Sequence, residues 1–359
     1  MRKLIILICI IFLSSGCYDY IELNDLSIIS GISIDYKDSN YLVSYEILND
    51  QKQGSDSTSK NSLIVTGNGK NIAEAFINTT KETPKKPYYA HLKCIIISEE
   101  IAKNKLENLV DYLLRNTDIR SEFDTVIAKD ILASELLNSS SKDNPIVSDL
   151  IETLLSNNKY YANNIYTQPF EEMVTDILIY GEEAELAVIS KIDDKLSVSG
   201  IGIFNNYNLA GILTPTESIT YNILTGNAMN ASFTIPCDKD SLTLGIYKSS
   251  PEIKVNNKNI NINLNLEGNI IESNCNYNFK DTKTYEILNK KYAKVIENET
   301  KKFITTTKSL NSDILGIRRM YYIENRKKNN NIWKENNYNV NVNLKINKKG
   351  LIFEVHNDN

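Results

Sequence analysis

Histidine is almost missing from this chain: His91 and His356 are the only two in 359 residues. Imidazole is the commonest general base and metal ligand, so its scarcity leaves little room for hydrolytic or zinc-centred chemistry. His91 and Cys94 have a ligand-like spacing, but in an extended strand the two side chains point to opposite faces. His356 stands close to the last residue, where chains fray. Tryptophan occurs once, at Trp333, and glycine is sparse at 14, whereas Asn, Lys and Ile abound. That bias fits an AT-rich genome, so runs of Asn carry no chemical meaning by themselves. Negative charge is in slight excess, with 45 Asp and Glu against 40 Lys and Arg. The formal net charge is −5, and the surface is too acidic for nonspecific phosphate neutralisation, which excludes nucleic acid as a partner. With no polybasic patch in the sequence, any membrane attachment must be covalent.

Catalytic and cofactor motifs are missing too. Gly67-Asn68-Gly69-Lys70 sits between a strand and a helix but lacks phosphate-loop spacing, and reads as a turn. No Gly-x-Ser-x-Gly elbow occurs. Glu182, Glu183 and Glu185 follow a helix end without EF-hand spacing and read as solvated surface. No enzyme activity, metal or cofactor is expected.

The N-terminus carries a positive signal. Met1-Arg2-Lys3 is a short basic start, and Leu4–Leu13 is apolar but well short of the roughly 20 residues a spanning helix needs. Ser14-Ser15-Gly16-Cys17 follows, and a small-residue stretch ending on cysteine resembles a lipobox, with Leu13 one place early. Cleavage there would remove Arg2 and Lys3 and make the mature chain two charges more acidic. Cys9 would leave with the signal and Cys17 would bear lipid. Cys94, Cys237 and Cys275 remain, an odd set implying no disulfide framework; Cys94 reads as a buried strand residue, and a Cys237–Cys275 bridge stays open.

Hydrophobic periodicity predicts strands at Ser27–Tyr36, Asn40–Leu48, Leu63–Thr66, Leu92–Ser98 and Phe123–Ala128. The polar stretch Gln51–Asn61 reads as an exposed loop. Helices are expected from Asn71 to Glu82, from Glu99 to Asn116 with Ser98 as cap, and at Ile131–Leu137, Ile146–Leu155 and Phe170–Tyr180. Asp193-Asp194 marks a hairpin turn, and Leu196–Phe204 pairs with Tyr207–Leu213. Thr216 caps a short helix ending at Gly226. Strands at Leu242–Tyr247, Glu252–Val255 and Ile260–Ile271 precede a long helix from Thr282 to Thr307. Tyr338–Ile346 alternates with period two, and Leu351–Val355 completes the pattern. Arg115 and Arg120 flank a turn after the best helix. They read as dipole-complementing charge with an ion pair to Asp111 or Asp118, or alternatively as a partner contact.

Cys17-Tyr18-Asp19, followed by Ile28-Ile29-Ser30-Gly31-Ile32-Ser33-Ile34-Asp35, and the segments above resemble the Ger(x)C family of spore germination lipoproteins. The resemblance puts Tyr18 for the usual Trp and Ser33 for the usual Gly. It continues at Gly69–Phe76, Tyr88–Lys93, Asp111–Arg115 and Ile119-Arg120. In the second half it lies in Gly202–Phe204, Leu209–Ser218, Asp313–Gly316 (Leu315 for an expected Phe), Trp333 and Val340–Gly350. The likeness implies an α+β fold of three sheet-containing domains with flanking helices after a lipoprotein signal peptide. The segments are then 1–16 as signal, 17–26 as lipid anchor and tether, 27–190, 191–240 and 241–359. It further implies a non-enzymatic receptor subunit held by a diacylglyceryl Cys17 at the outer face of the spore inner membrane. Its partners would be integral-membrane A- and B-type subunits that sense nutrients. Two other readings remain: a lipoprotein that itself binds a small ligand for transport or sensing, and an exported cell-wall enzyme.

Overall fold

The computed structural model describes residues 22–53, 57–160, 168–228, 231–237 and 240–347. Cys17, His356 and the strand expected at Leu351–Val355 lie outside the described residues. Among the described residues thirteen strands fall into two sheets. The first takes β1 (Leu26–Lys37), β2 (Asn40–Gln53), β3 (Ser57–Gly69), β5 (Cys94–Ser98), β6 (Asp124–Ala128), β7 (Glu185–Ile192), β8 (Lys195–Asn205) and β9 (Asn208–Leu213). Their order is β3-β2-β1-β5-β6-β7-β8-β9, with β4 (Lys86–Tyr88) beside the start of β1. The centre, β1-β5-β6-β7, is parallel, and antiparallel hairpins extend it on both sides.

A parallel centre must be covered on both faces, because its crossover helices pack there. Every residue of β5 is accordingly buried. Its alternation sends Ile95 and Ile97 into one apolar cluster and Cys94 and Ile96 into another. The first cluster is covered by α1 (Ile72–Glu82), α2 (Glu99–Asn104), α3 (Leu106–Arg115) and α6 (Phe170–Leu178), and the second by α4 (Ala133–Leu137) and α5 (Val147–Tyr160). The second sheet runs β10 (Ala231–Cys237), β11 (Asp240–Val255), β12 (Asn259–Ser273) and β13 (Asn337–Ile346). One face of it lies under α8 (Thr282–Ser309), whose buried stripe Leu288, Tyr292, Ile296, Thr300 and Phe303 follows helical spacing. Between the sheets lies α7 (Pro215–Thr225); α9 (Ile317–Asn325) and α10 (Ile332–Glu335) follow α8.

The α+β class stands, but among the described residues the sheets number two rather than three. The Asp193-Asp194 turn, both residues at positive φ, folds β8 back onto β7. The expected 190/191 boundary falls within this hairpin. The 191–240 segment is shared out: β8 and β9 finish the first sheet, whereas β10 pairs with β11 of the second. Local hairpin chemistry was readable, but the continuing ladder was not.

Several smaller expectations change for physical reasons. The polar stretch Gln51–Asn61 is mostly strand, because Asp50 to Gln53 pair with Lys60 to Ser57 through backbone bonds that need no apolar side chain. Gly67 and Gly69 form the end of β3 rather than a turn. A Cβ at Gly67 would lie 2.2 Å from the Thr79 nitrogen, so glycine lets α1 lie against the strand. The expected helix Glu99–Asn116 breaks at Lys105 into α2 and α3. Thr214, not Thr216, caps α7 through a reciprocal box with Glu217, and Gly226 ends it at φ +81°. Cys237 and Cys275 are disulfide-bonded with a Cα–Cα distance of 6.0 Å, and Cys94 is a buried free thiol.

Candidate functional site

Two of the three residues singled out from the sequence can be placed. Arg115 and Arg120 are both exposed. Arg115 Nε lies 3.0 Å from each carboxylate oxygen of Asp111, four residues earlier on α3. Through those hydrogen bonds Arg115 holds Asp111 below the ordinary carboxylate range. Arg120 follows the turn at Asn116–Asp118, in which the Asp118 N–H is satisfied by the Asn116 side chain. Nothing draws these arginines into a cavity; they belong to the outer surface of the helix layer.

Chemistry gathers instead where the sequence suggested only solvated acid. Glu183 and Glu185 are 4% and 3% exposed. Glu183 accepts from the Asn206 N–H at 2.7 Å and pairs with Arg318 on α9. The same guanidinium donates through Nε to Asp313 at 3.1 Å, and Asp313 also accepts the Ile317 and Arg318 N–H groups, capping α9. Burial raises both carboxylates, Asp313 up to about 7, and the N–H donors that are their only partners pull them back toward the ionised form. One arginine thus ties the entry of β7 to the entry of α9.

Beside this pair is a second, poorly compensated group. Gln168 Nε2 donates to Asp176 at 2.7 Å. Burial pushes Glu185 up to about 8, with the Tyr221 hydroxyl partly offsetting it. Burial and then the charge of Asp176 push Glu182 up to about 7 against the pull of Arg319. These groups prefer to be protonated inside the fold. Among the described residues no group of three or more His, Cys, Asp or Glu side chains could hold a metal. Surface clefts of about 470, 400 and 270 Å³ are lined by other residues.

Further contacts cross the same seam. Thr306 on α8 donates to Glu217 on α7 at 2.7 Å, and Ser312 donates to the Phe204 carbonyl on β8 at 2.6 Å. Ile201, Ile203 and Leu213 of the first sheet share one apolar core with the second sheet and α8. Two other buried carboxylates stabilise helix starts. Asp35 accepts from the Ala133 and Ser134 N–H groups of α4, at 2.7 and 2.9 Å. Glu46 accepts from Val147 and Ser148 at the start of α5, at 2.7 and 3.0 Å.

Comparison with known proteins gives this architecture a family. Residues 19–191 match the spore germination protein N-terminal domain, and residues 199–350 match the spore germination B3/GerAC-like C-terminal domain. The chain belongs to the GerAC-like spore germination family. The putative spore germination protein YfkR of Bacillus subtilis (strain 168) is 22% identical over 87% of this chain and 85% of its own length. Spore germination protein GerQC of Bacillus cereus is 22% identical over 98% and 99%. Spore germination protein KC of Bacillus subtilis (strain 168) is 31% identical, over 39% of this chain and 36% of its own. The crystal structure of the GerBC protein shares the fold, with a TM-score of 0.54 and 18% identity over 91% of this chain and 99% of that one.

The two GerAC-like modules meet at the β7–β8 turn, between residues 191 and 199. Glu183 and Glu185 therefore come from the first module, and Tyr221, Asp313 and Arg318 from the second. The buried charges are an inter-module contact. Sequence reasoning missed it because an acidic run after a helix is ordinarily wet. The usable signal was Glu185 heading the apolar run Leu186–Ile189, a charge where burial on both faces follows.

Proposed function

We propose that this chain is the lipid-anchored, non-enzymatic subunit of a spore nutrient germinant receptor. It is tethered through a diacylglyceryl Cys17 at the outer face of the spore inner membrane. It works by contact with integral-membrane A- and B-type subunits, and is needed for receptor assembly and for triggering germination. The observation that carries this reading is membership of the GerAC-like family through both modules in order. The apolar run and Cys17 at the N-terminus support the anchor. The exposed Arg115 and Arg120 are proposed as partner contacts, an outward-facing pair that folding does not need.

The test is genetic and simple to read. In spores with no redundant receptor, deletion of the gene or Cys17→Ala is expected to abolish the response to the cognate nutrient. Metabolic labelling with a fatty acid should mark the wild-type protein and not the variant. A normal nutrient response in the deletion strain would refute the assignment.

A further inference from the structure

The acidic sequence has no basic run longer than a few residues, yet folding assembles a cationic and aromatic surface. On α9, Ile317 and Tyr321 are buried, and the opposite face carries Arg319, Tyr322 and Ile323, with Arg326 as the cap just past its end. Glu324 projects to another side. Tyr180 packs edge-on against Tyr322, with ring centroids 5.5 Å apart. Lys328 Nζ sits 4.6 Å from the Tyr180 ring centre, and Arg319 lies over Tyr322 at 6.0 Å. Gly181 brings the preceding loop against the first turn of α9, where a Cβ would meet the Arg319 nitrogen at 2.5 Å. Large apolar side chains are nonetheless left in solvent: Leu178 is 67% exposed and Ile323 51%.

Strand direction locates this surface. Because β1, β5, β6 and β7 are parallel, they all start at one end of the sheet. Gly31 is level with Cys94, Cys94 with Asp124, and Val126 with Ala187, which puts Glu185 near the level of Gly31. Leu26, where the chain enters β1, and Tyr180 each precede that level by five residues. The chain entry at β1 and the segment that leads into β7 from Tyr180 therefore lie at one end of the sheet, where β1 and β7 are three strand spacings, about 14 Å, apart. Lys85, Lys86 and the partly exposed Tyr88 lie beside the entry as well, with Lys85 Nζ donating to the Asn24 carbonyl.

We propose that the α9 stripe, together with Leu178, Tyr180 and Lys327-Lys328, rests on the anionic lipid surface to which the chain is tethered, a proposal that builds on the Cys17 anchor. Tyrosine rings with exposed Leu and Ile suit the headgroup boundary, and the surrounding Lys and Arg suit anionic lipid. Covalent attachment would then hold the protein near the bilayer, and this surface would orient it, setting the sheet end-on.

The test uses the full chain, purified with its N-terminus intact, on vesicles of phosphatidylcholine with or without phosphatidylglycerol. An environment-sensitive fluorophore is placed at Ile323→Cys, or at Ile192→Cys as a control. Ile192 is 61% exposed and ends β7, away from the strand starts. Flotation with the vesicles reports the anchor, and fluorophore emission reports the surface. The label at 323 should shift to the blue and brighten severalfold on phosphatidylglycerol vesicles only, while that at 192 stays unchanged. K327E/K328E should remove most of the gain, as should 1 M salt, where the Debye length falls to about 3 Å. A chain that floats while the 323 label is unmoved overturns the surface and leaves the anchor intact. Equal brightening on phosphatidylcholine alone, or brightening only when membrane subunits are co-reconstituted, also overturns it. A chain that floats on neither vesicle overturns both.

Discussion

Replacing Arg318 by Met should be among the most damaging single changes outside the apolar cores. The Arg318 side chain is 16% exposed, and each of its two carboxylate partners is 1% exposed. An exposed ion pair contributes at most about 1 kcal/mol, but removing one partner of a buried pair costs about 3–5 kcal/mol, because the remaining charge is left in low dielectric. Asp313 would still accept the N–H groups of Ile317 and residue 318. Glu183 would keep only the Asn206 N–H. Most of the penalty therefore falls on Glu183, and R318M is expected to cost about 3 kcal/mol or more, a large share of a typical total of about 5–15 kcal/mol. Urea unfolding of the full chain in detergent, followed by circular dichroism, measures the change as a lower midpoint at unchanged slope.

The double variant makes the reasoning vulnerable. E183Q removes the stranded charge, so E183Q/R318M should be more stable than R318M alone by about 2 kcal/mol, a coupling that distant sites do not show. If R318M costs less than about 1 kcal/mol, or if the double variant is no better than R318M, Glu183 is not held by Arg318 and the seam is not a buried ion pair.

Glu185 supplies a pH dependence with a definite sign. Its folded pKa of about 8 lies above its ordinary value, so the protonated form suits the fold. Its contribution is full below about pH 4.5 and is lost as pH rises through 8, by up to a few kcal/mol; Glu185→Gln should flatten the difference between urea midpoints at pH 5 and pH 9. Glu46→Ala leaves the Val147 and Ser148 N–H groups without their acceptor and should cost about 2–4 kcal/mol, with faster hydrogen exchange at those two amides as the local signature. C237S/C275S opens a bridge spanning 38 residues and should lower stability by about 4 kcal/mol by chain-entropy reasoning, read as a loss of melting temperature that reductant reproduces in the wild type.

Much of this fold could be read locally. The period-two alternation of Val340, Val342 and Leu344, the helical stripe of α8 and the Asp193-Asp194 turn all appear where the pattern places them. What escaped depends on partners distant in sequence. β8 joins β7 in the first sheet while β10 goes to the second, and hairpin chemistry alone does not say where a ladder stops. Glu183 looks wet until Arg318, 135 residues later, comes to it. The α9 surface escaped for the same reason: Tyr180 and Lys328 form one site only after the modules close. Arg115 and Arg120, by contrast, were visible because nothing distant recruits them.

That closure needs more than apolar contact. Ile201, Ile203 and Leu213 merge with the core beneath α8, and Leu310 lies over Gly211, where a Cβ would come within 2.7 Å. Such packing favours association but tolerates sliding, because dispersion and burial are nearly non-directional. The fork of Arg318 is directional. It must meet Glu183 from the first module and Asp313 from the second at once, while Thr306 meets Glu217 and Ser312 meets Phe204. A small rotation of the first sheet against the second sheet and its covering α8 would break the Arg318–Glu183 and Ser312–Phe204 contacts and strand buried charge. The apolar core therefore holds the two sheets together, and the polar seam sets their angle. That angle in turn fixes where α9 lies relative to the starts of the parallel strands, and hence whether the cationic surface and the tether can meet one bilayer together.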